Sequence, residues 1–230
     1  MPLETQVHRA MRHPSVPYVL PFAVFIAFLA VQHFSLLPET LDLPLRLVVL
    51  TAVLAAVSRR AISFRMTSAA WSVLLGIAVF GIWLAPDLLF PHYREHWLFQ
   101  NRIFGTLASS VSESLRSDPF ALVCRSVRAV ILVPIVEELF WRAWLMRWLI
   151  SPQFEAVPLG TYAARSFWIT AVMFALEHGP YWDVGLIAGV LYNAWMVRTR
   201  SLGDCILAHA VTNACLCVYV IASGQWQYWL

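Results

Sequence analysis

Two adjacent acids and an arginine lie inside an apolar run, and this feature constrains the chain most strongly. The run Ile131–Leu149 reads ILVPIVEELFWRAWLMRWL and contains Glu137, Glu138 and Arg142. Charged side chains at bilayer depth are costly and rare, and they usually face a bundle interior or a water-filled cavity. The fold must therefore surround this segment with other helices that supply polar partners.

The two acids are expected to have different roles because of their spacing from the arginine. Glu138 and Arg142 are four residues apart, the spacing at which an acid and a following base pair on one helix face. Glu137 cannot share this pairing, since adjacent helical residues point about 100° apart. We therefore expect Glu138 to be tied to Arg142 and Glu137 to be free for chemistry.

The composition places the whole chain in a membrane. Of 230 residues, 60% are hydrophobic and 13% are charged, and the mean hydropathy is +0.68, whereas soluble domains carry about 25% charged residues. We predict an all-α polytopic membrane protein, a bundle of about seven or eight transmembrane helices around an intramembrane cavity that its charged residues face. No linker divides the sequence, so residues 1–230 are expected to form a single integral membrane domain, with the motif-bearing catalytic part at 120–222.

Seven apolar segments are candidates for membrane spans, and an eighth would result if Pro134 ended a helix within the fourth. The predicted spans are Val16–Leu37, Leu45–Ser58, Ser68–Phe90, Phe120–Ile150, Ser166–Gly179, Asp183–Val197 and Cys205–Ala222. We expect a turn at Pro38–Pro44. The mixed polar and aromatic segment Pro91–Pro119 is either a surface-lying amphipathic segment or an ordinary loop.

Basic residues predict the orientation, and all of them are arginine. A cytoplasmic N-terminus is favoured by the arginines in Met1–Pro14, Arg59–Arg65, Arg147–Arg165 and Arg198–Arg200. Arg125 and Arg128 then fall near the opposite face, against the rule. The exclusive use of arginine suggests a GC-rich bacterial genome, so we expect the bacterial cytoplasmic (inner) membrane. These short basic loops act as orientation signals and do not indicate nucleic-acid binding.

Two later spans carry further polar side chains at helical spacing. Phe174 and His178 in FALEH are four residues apart, as are His209 and Asn213 in HAVTN, so each pair shares a helix face. A single histidine at a helix end is most often a packing residue. However, three helices carry polar side chains that can face the bundle interior, and inside a membrane each of these side chains needs a partner other than water. A single site shared by the three helices would satisfy all of them.

These residue types suit the hydrolysis of a peptide bond. A partly buried glutamate can act as a general base on water, and a neutral imidazole can orient that water or donate to a leaving amine. An amide and a second imidazole can donate hydrogen bonds to the developing oxyanion. Equally, Glu137, His178 and His209 could be the three protein ligands of a catalytic zinc.

We favour the metal-independent alternative, with no cofactor, over zinc or another divalent metal. Asn213 lies one helical turn beyond His209, where the two can form one oxyanion-binding device. A histidine committed to a metal would leave Asn213 without an evident task.

Three motifs, taken in order, resemble a known family. EELFWR at Glu137–Arg142 follows the pattern EExxxR, FALEH follows FxxxH, and HAVTN follows HxxxN. Over about Val123–Ala222 the chain resembles the CPBP family of intramembrane proteases, which includes the type II CAAX prenyl endopeptidases and Abi-type bacteriocin-processing or self-immunity proteins. The resemblance implies an all-helical bundle around a cavity that opens toward the cytoplasm.

The resemblance also implies a role for each motif residue. Glu137 would be the water-activating base, assisted by His178, and the oxyanion site would consist of His209 and Asn213. The supporting residues would be Glu138, Arg142 and Phe174. The implied enzyme is a peptide hydrolase whose partners are the lipid bilayer and a membrane-associated peptide or protein, such as a lipidated or CAAX-like one.

Two other classes of function were weighed. Intramembrane Glu, His and Arg also build the relays of proton-coupled transporters, which predict inverted repeats that this sequence does not show. A non-catalytic immunity protein that holds a peptide is the second alternative. The full set of Glu137, His178, His209 and Asn213 argues against it.

Overall fold

The computed structural model describes residues 13–31, 37–107, 109 and 111–229, and within these ranges the chain is helical with no β-strand. Residues 1–12 of the polar N-terminal segment and residues 32–36 of the first predicted span lie outside the described ranges. The helices are α1 (Val16–Val31), α2 (Glu39–Ser58), α3 (Ala69–Leu89), α4 (Pro119–Trp148), α5 (Ala164–Glu177), α6 (Trp182–Thr199) and α7 (Leu202–Ser223).

Four of these helices, α2, α3, α4 and α7, are long and apolar enough to cross a membrane by length and composition. An α-helix rises about 1.5 Å per residue, so roughly 20 residues span a hydrocarbon core. The prediction of an all-α polytopic membrane protein is confirmed. The number of spans stays a prediction, because α1 and α5 contain 16 and 14 residues.

One end of the bundle is held together by Asp204, near the start of α7. Its carboxylate accepts hydrogen bonds from the Thr67 backbone N–H at 2.7 Å and from the Ser72 hydroxyl at 2.9 Å. Nearby, Ser58 at the end of α2 donates to the Pro17 carbonyl of α1 at 2.6 Å. We call this the Asp204 end of the bundle.

The opposite end is organised around Arg94, in the connection between α3 and α4. The buried guanidinium pairs with Asp183 at 2.6 Å and Asp87 at 3.0 Å, and it donates to the Pro180 carbonyl at 2.8 Å. Tyr228 also donates to Asp87, at 2.8 Å. We call this the Arg94 end. The described part of the connection contains short 3₁₀ turns and no α-helix, which agrees with the loop alternative rather than with an amphipathic helix.

The predicted turn at Pro38–Pro44 is wrong, because α2 already begins at Glu39. Glu39 and Asp42 lie in the first helical turn, where negative charge is favourable. Asp42 forms an ion pair with Arg46 one turn later, at 2.6 Å. Pro44 lies close enough to the helix start that few backbone hydrogen bonds are lost.

Pro134 does not end a helix, since α4 runs through it without interruption. The preceding stretch Arg128–Leu132 is π-helical, and the Val133 N–H bonds to the Arg128 carbonyl. Proline has no N–H to offer the next carbonyl, that of Ala129. The Asn213 side chain donates to this carbonyl instead, at 2.8 Å. The described ranges therefore hold seven helices, and the eighth that Pro134 could have created is not formed.

Candidate active site

A cavity of about 560 Å³ lies between the helices and is lined by residues from both halves of the chain. All four predicted catalytic residues line it, and they come from α4, the end of α5 and α7. These residues are Glu137, His178, His209 and Asn213. The fold thus brings together side chains that are as far as 76 residues apart in the sequence (137 to 213).

Glu137 is a buried carboxylate of this cavity that has an oxygen without a hydrogen-bond partner. The residue is 4% exposed, and its Oε2 atom has no hydrogen-bond partner among the described residues. A buried polar atom normally has a partner, and leaving one unpaired costs free energy. The unpaired oxygen therefore suits a bound water or a substrate group.

Glu138 differs from Glu137 because it does not line the cavity and because its Oε1 atom is paired, although its Oε2 atom also has no partner among the described residues. Its Oε1 atom lies 3.0 Å from the Arg142 guanidinium, and both side chains are completely buried. The guanidinium also lies 4.4 Å above the Phe174 ring, a cation–π contact that is favourable in a desolvated site. The two neighbouring acids of α4 thus have different environments.

Asn193 on α6 completes the arginine site, and the sequence analysis missed it. Its side-chain oxygen accepts from Arg142 Nε at 3.1 Å, and its amide nitrogen donates to the Phe167 carbonyl at 2.9 Å. The residue is fully buried. An uncharged amide in the apolar stretch LYNAW was the available signal, since such a group also needs partners in a membrane.

His209 is held by Glu138 as well. Its Nδ1 atom lies 2.9 Å from the same Oε1 that binds Arg142, and its ring stacks on Tyr192 with centroids 5.3 Å apart. Because a carboxylate can only accept, Nδ1 carries the hydrogen, and Nε2 is the nitrogen left for a ligand. Tyr192 is a second residue that sequence reasoning missed. It is fixed by a 2.7 Å hydrogen bond to Thr212.

His178 follows the last residue of α5 and is oriented by its own helix. Its Nδ1 atom lies 2.7 Å from the Phe174 carbonyl, one turn earlier, so Nδ1 again carries the hydrogen and Nε2 is available. The ring packs against Phe174 and Trp83, with centroids 4.6 and 5.2 Å apart. Phe174 therefore supports both His178 and Arg142.

Asn213 has one structural bond, the one to the Ala129 carbonyl. A side-chain amide carries two N–H bonds. One of them holds the α4 backbone where Pro134 leaves a carbonyl unpaired, and the other can serve a ligand in the cavity.

Glu177 adds a second carboxylate to the cavity wall. Its Oε2 accepts from Trp141 Nε1 at 3.1 Å, and its Oε1 has no partner among the described residues. Trp141 lies one helical turn beyond Glu137 on α4. Glu177 therefore approaches the same side of α4 as the candidate base.

The alternative zinc site does not fit the side chains as they are placed. Among the described residues, no group of three or more His, Cys, Asp or Glu side chains could hold a metal ion. Glu137, His178 and His209 share the cavity but do not form such a group. Metal independence itself stays a proposal.

Comparison with known proteins bears on the segment of the chain that carries these residues. Residues 119–215 match the family model described as type II CAAX prenyl endopeptidase Rce1-like. This segment is an Rce1-like domain. It covers α4, α5 and α6 and reaches into α7, and it contains all three motifs. The resemblance to this family is therefore confirmed, and at the level of the family the domain is that of an intramembrane endopeptidase. No curated protein and no solved structure matches the chain.

The cavity of the Rce1-like domain extends toward the Arg94 end. Its lining includes Phe104 and Ser109 of the α3–α4 connection and Trp229 near the C-terminus. If the N-terminus is cytoplasmic and all seven helices cross, the Arg94 end faces the exterior. The charge rule predicts a cytoplasmic N-terminus, and the family resemblance implies a cavity that opens toward the cytoplasm. With seven crossing helices, the two expectations cannot both hold in this structure.

Proposed function

We propose that the protein is an intramembrane endopeptidase that hydrolyses a peptide bond in a membrane-associated protein or peptide, with lipidated, CAAX-like peptides as the substrate class. The observation that carries the proposal is the unpaired carboxylate oxygen of Glu137, buried in one cavity with two imidazoles and a side-chain amide. The family match of residues 119–215 supports the reaction class.

The proposed reaction begins with a water molecule between Glu137 and the substrate carbonyl. Glu137 takes a proton from this water as its oxygen attacks the carbonyl carbon. His178 orients the water through Nε2, the nitrogen not used by the Phe174 carbonyl. The protonated Glu137 then passes the proton to the leaving amine as the C–N bond breaks, which regenerates the carboxylate.

The developing oxyanion is received by groups from α7. The second N–H of Asn213 donates one hydrogen bond. His209 donates from Nε2 when its ring carries a second proton, and the Glu138 carboxylate at Nδ1 balances that positive charge. Glu138 is therefore a positioning residue rather than a second base.

The apolar part of the cavity supports a membrane-associated substrate. Phe25 and Leu29 of α1, Trp83 of α3 and Phe104 of the connection line it together with the polar residues. A cavity of this size, largely apolar with a few polar groups, is typical of small-molecule and cofactor sites. A lipid chain attached to the peptide can lie against these side chains.

The test is a cleavage assay with purified protein in liposomes and a prenylated peptide that extends beyond the lipidated cysteine. We expect Glu137→Gln to lower kcat by about two to four orders of magnitude, the usual size of general-base catalysis. Glu113→Gln is the matched control, because the Glu113 side chain is 91% exposed and lies outside the cavity. Equal rates in wild type and Glu137→Gln would exclude the proposed mechanism.

A further inference from the structure

Glu177, the last residue of α5, is a carboxylate of the cavity wall that the mechanism above does not use. Glu137 and Glu177 are the two carboxylates in the described part of the chain that line the cavity. The Oε2 atom of Glu177 is fixed by the indole N–H of Trp141 at 3.1 Å, and its Oε1 atom is buried without a hydrogen-bond partner in the described ranges. A buried acceptor of this kind is costly unless a bound molecule supplies a donor.

The charge of Glu177 lies close to the candidate base. Glu177 acts on Glu137 more strongly than Glu138 does, although Glu138 is next to Glu137 in the chain. Arg142 is the cation that attracts Glu177, but its guanidinium is already bound to Glu138 and Asn193. Negative charge inside a membrane bundle therefore calls for a further group that is positive or can donate a hydrogen bond.

The nitrogen of the scissile bond is the reacting atom to which the mechanism above assigns no protein partner. The carbonyl carbon faces the water on Glu137, and the carbonyl oxygen is received by Asn213 and His209 of α7. In a trans peptide bond the N–H points away from the C=O, and so it points away from these α7 donors. Glu177 is held against α4 by Trp141, and its free oxygen can accept this N–H.

We propose that Glu177 is a further catalytic residue, which accepts a hydrogen bond from the nitrogen of the scissile bond and stabilises the positive charge that develops there. This inference rests on the proposed endopeptidase function and deepens it. The proton that Glu137 took from water moves to the nitrogen as the C–N bond breaks and its electron pair passes to the nitrogen. The oxyanion re-forms the carbonyl of the new carboxyl group, and a neutral amine leaves. Glu177 neither gains nor loses a proton in this step.

Such a contact accelerates the reaction because it is stronger in the transition state than in the bound substrate. The amide nitrogen is neutral in the substrate and becomes positive as the proton arrives, so its attraction to a carboxylate increases. The low polarity of a buried cavity strengthens this attraction further. Loss of Glu177 should therefore lower kcat more than it raises KM.

The test compares two substrates that differ only at the scissile bond. One is a peptide with an amide, and the other is a depsipeptide of the same sequence with an ester, in which an oxygen replaces the N–H. For the amide we expect Glu177→Gln to lower kcat by about 10- to 100-fold, the size expected for a hydrogen bond to a charged group. For the ester the same substitution should not lower kcat, because the leaving oxygen has no hydrogen to donate to Glu177.

Three further variants complete the assay. Glu137→Gln should slow both substrates, because both require an activated water. Trp141→Phe removes the N–H that orients Glu177 and keeps an aromatic ring, so it should slow the amide more than the ester. Glu113→Gln is the matched control, since this exposed glutamate lies outside the cavity and should leave both rates unchanged.

Two outcomes of this assay would overturn the proposal. A Glu177→Gln variant that slows amide and ester by the same factor would show that Glu177 acts on the fold or on water and not on the leaving nitrogen. A Glu177→Gln variant that cleaves the amide at the wild-type rate would show that the residue is not needed.

A binding measurement separates this inference from the proposed function. Two fluorescently labelled peptides represent the released fragment, one with an N-terminal amine, which is largely protonated at neutral pH, and one with a hydroxyl in its place. They are titrated onto Glu137→Gln protein, with and without Glu177→Gln. The amine should bind about 10- to 100-fold more tightly, and Glu177→Gln should abolish this preference.

That result would support the role of Glu177 even if wild type cleaves neither substrate, in which case the proposed function alone would fail. Equal binding of the two peptides to the Glu137→Gln protein would overturn the role of Glu177 even if wild type cleaves the amide.

Discussion

The Nδ1 atom of His209 lies 2.9 Å from Oε1 of Glu138, the same oxygen that Arg142 approaches at 3.0 Å. One buried carboxylate oxygen therefore holds an imidazole of α7 and a guanidinium of its own helix. The pair expected from helical spacing is part of a unit of three side chains that joins α4 to α7. Loss of Glu138 should affect both the stability of the fold and the orientation of His209.

We expect Glu138→Gln to lower the free energy of unfolding by about 3–5 kcal/mol, because Arg142 would remain as a buried charge without its counter-ion. The measurement is reversible unfolding in detergent, with Glu113→Gln as the exposed control. A Glu138→Gln variant with reduced activity and unchanged stability would contradict this structural role.

Substitutions at His209 can separate its two nitrogens. Asparagine places an amide near the position of Nδ1 and can keep the bond to Glu138, whereas glutamine reaches the position of Nε2. We expect His209→Asn to retain stability but to lose about 10²–10³ in kcat, as for removal of an oxyanion donor. His209→Gln should keep more activity and lose about 1–3 kcal/mol of stability. If the two substitutions changed kcat and stability to the same extent, Nδ1 would not have a structural role separate from a catalytic role of Nε2.

The bond between Asn213 and the Ala129 carbonyl predicts a coupling with Pro134. Asn213→Ala should cost about 1–3 kcal/mol of stability, because a carbonyl in α4 is left unpaired. In a Pro134→Ala background the new backbone N–H can bond to that carbonyl, so the same substitution should cost clearly less. A double-mutant cycle in detergent measures this difference. Additive effects on stability would mean that Pro134 is not the reason why the Ala129 carbonyl depends on the Asn213 side chain for a hydrogen bond.

The metal-independent mechanism predicts that exhaustive chelation leaves the cleavage rate unchanged. Metal analysis of the active protein should then find far less than one equivalent, while the peptide is still hydrolysed. Stoichiometric zinc, with activity lost on its removal and restored by its return, would make His178 and His209 ligands. The roles assigned to Glu137 and Asn213 would then have to be revised.

The orientation can be tested at the two ends of the bundle. By the charge rule, a reporter fused after Arg65 should be cytoplasmic and one fused after Gly224 should be external. A paired fusion assay, with one reporter active in the cytoplasm and one active outside, gives a positive signal for either side. The reverse result would place the Arg94 end, and with it the cavity, on the cytoplasmic side.

The candidate site was more predictable from the sequence than the course of the backbone. Glu137, His178, His209 and Asn213 stand out because each polar side chain interrupts an apolar helix, and helical spacing then gives the face it occupies. The three motifs add an order along the chain, which the match of residues 119–215 supports. Local patterns of this kind act over one or two turns, and the sequence shows them directly.

The features that were missed or wrong depend on contacts between distant parts of the chain. The continuity of α4 through Pro134 involves Asn213, which bonds to a carbonyl 84 residues earlier. Arg94 organises one end of the bundle through Asp183, 89 residues away. The sequence does not point to Asn193, because Glu138 one turn away already provides a partner for Arg142 and no second partner is indicated. Such pairings leave no periodic signal in the sequence.

The walls of the cavity come from both halves of the chain, whereas its hydrolytic residues come from one of them. Phe25, Leu29, Trp83 and Phe104 precede the Rce1-like domain, whereas Glu137 and the other hydrolytic residues lie within it. The two halves meet at close contacts such as the stacking of Phe22 on Phe140, with ring centroids 3.9 Å apart. Drift in the first 118 residues can therefore reshape one side of the chamber around an unchanged set of reactive groups, and a chimaera joined near Pro119 would exchange that side between relatives while leaving the hydrolytic residues in place.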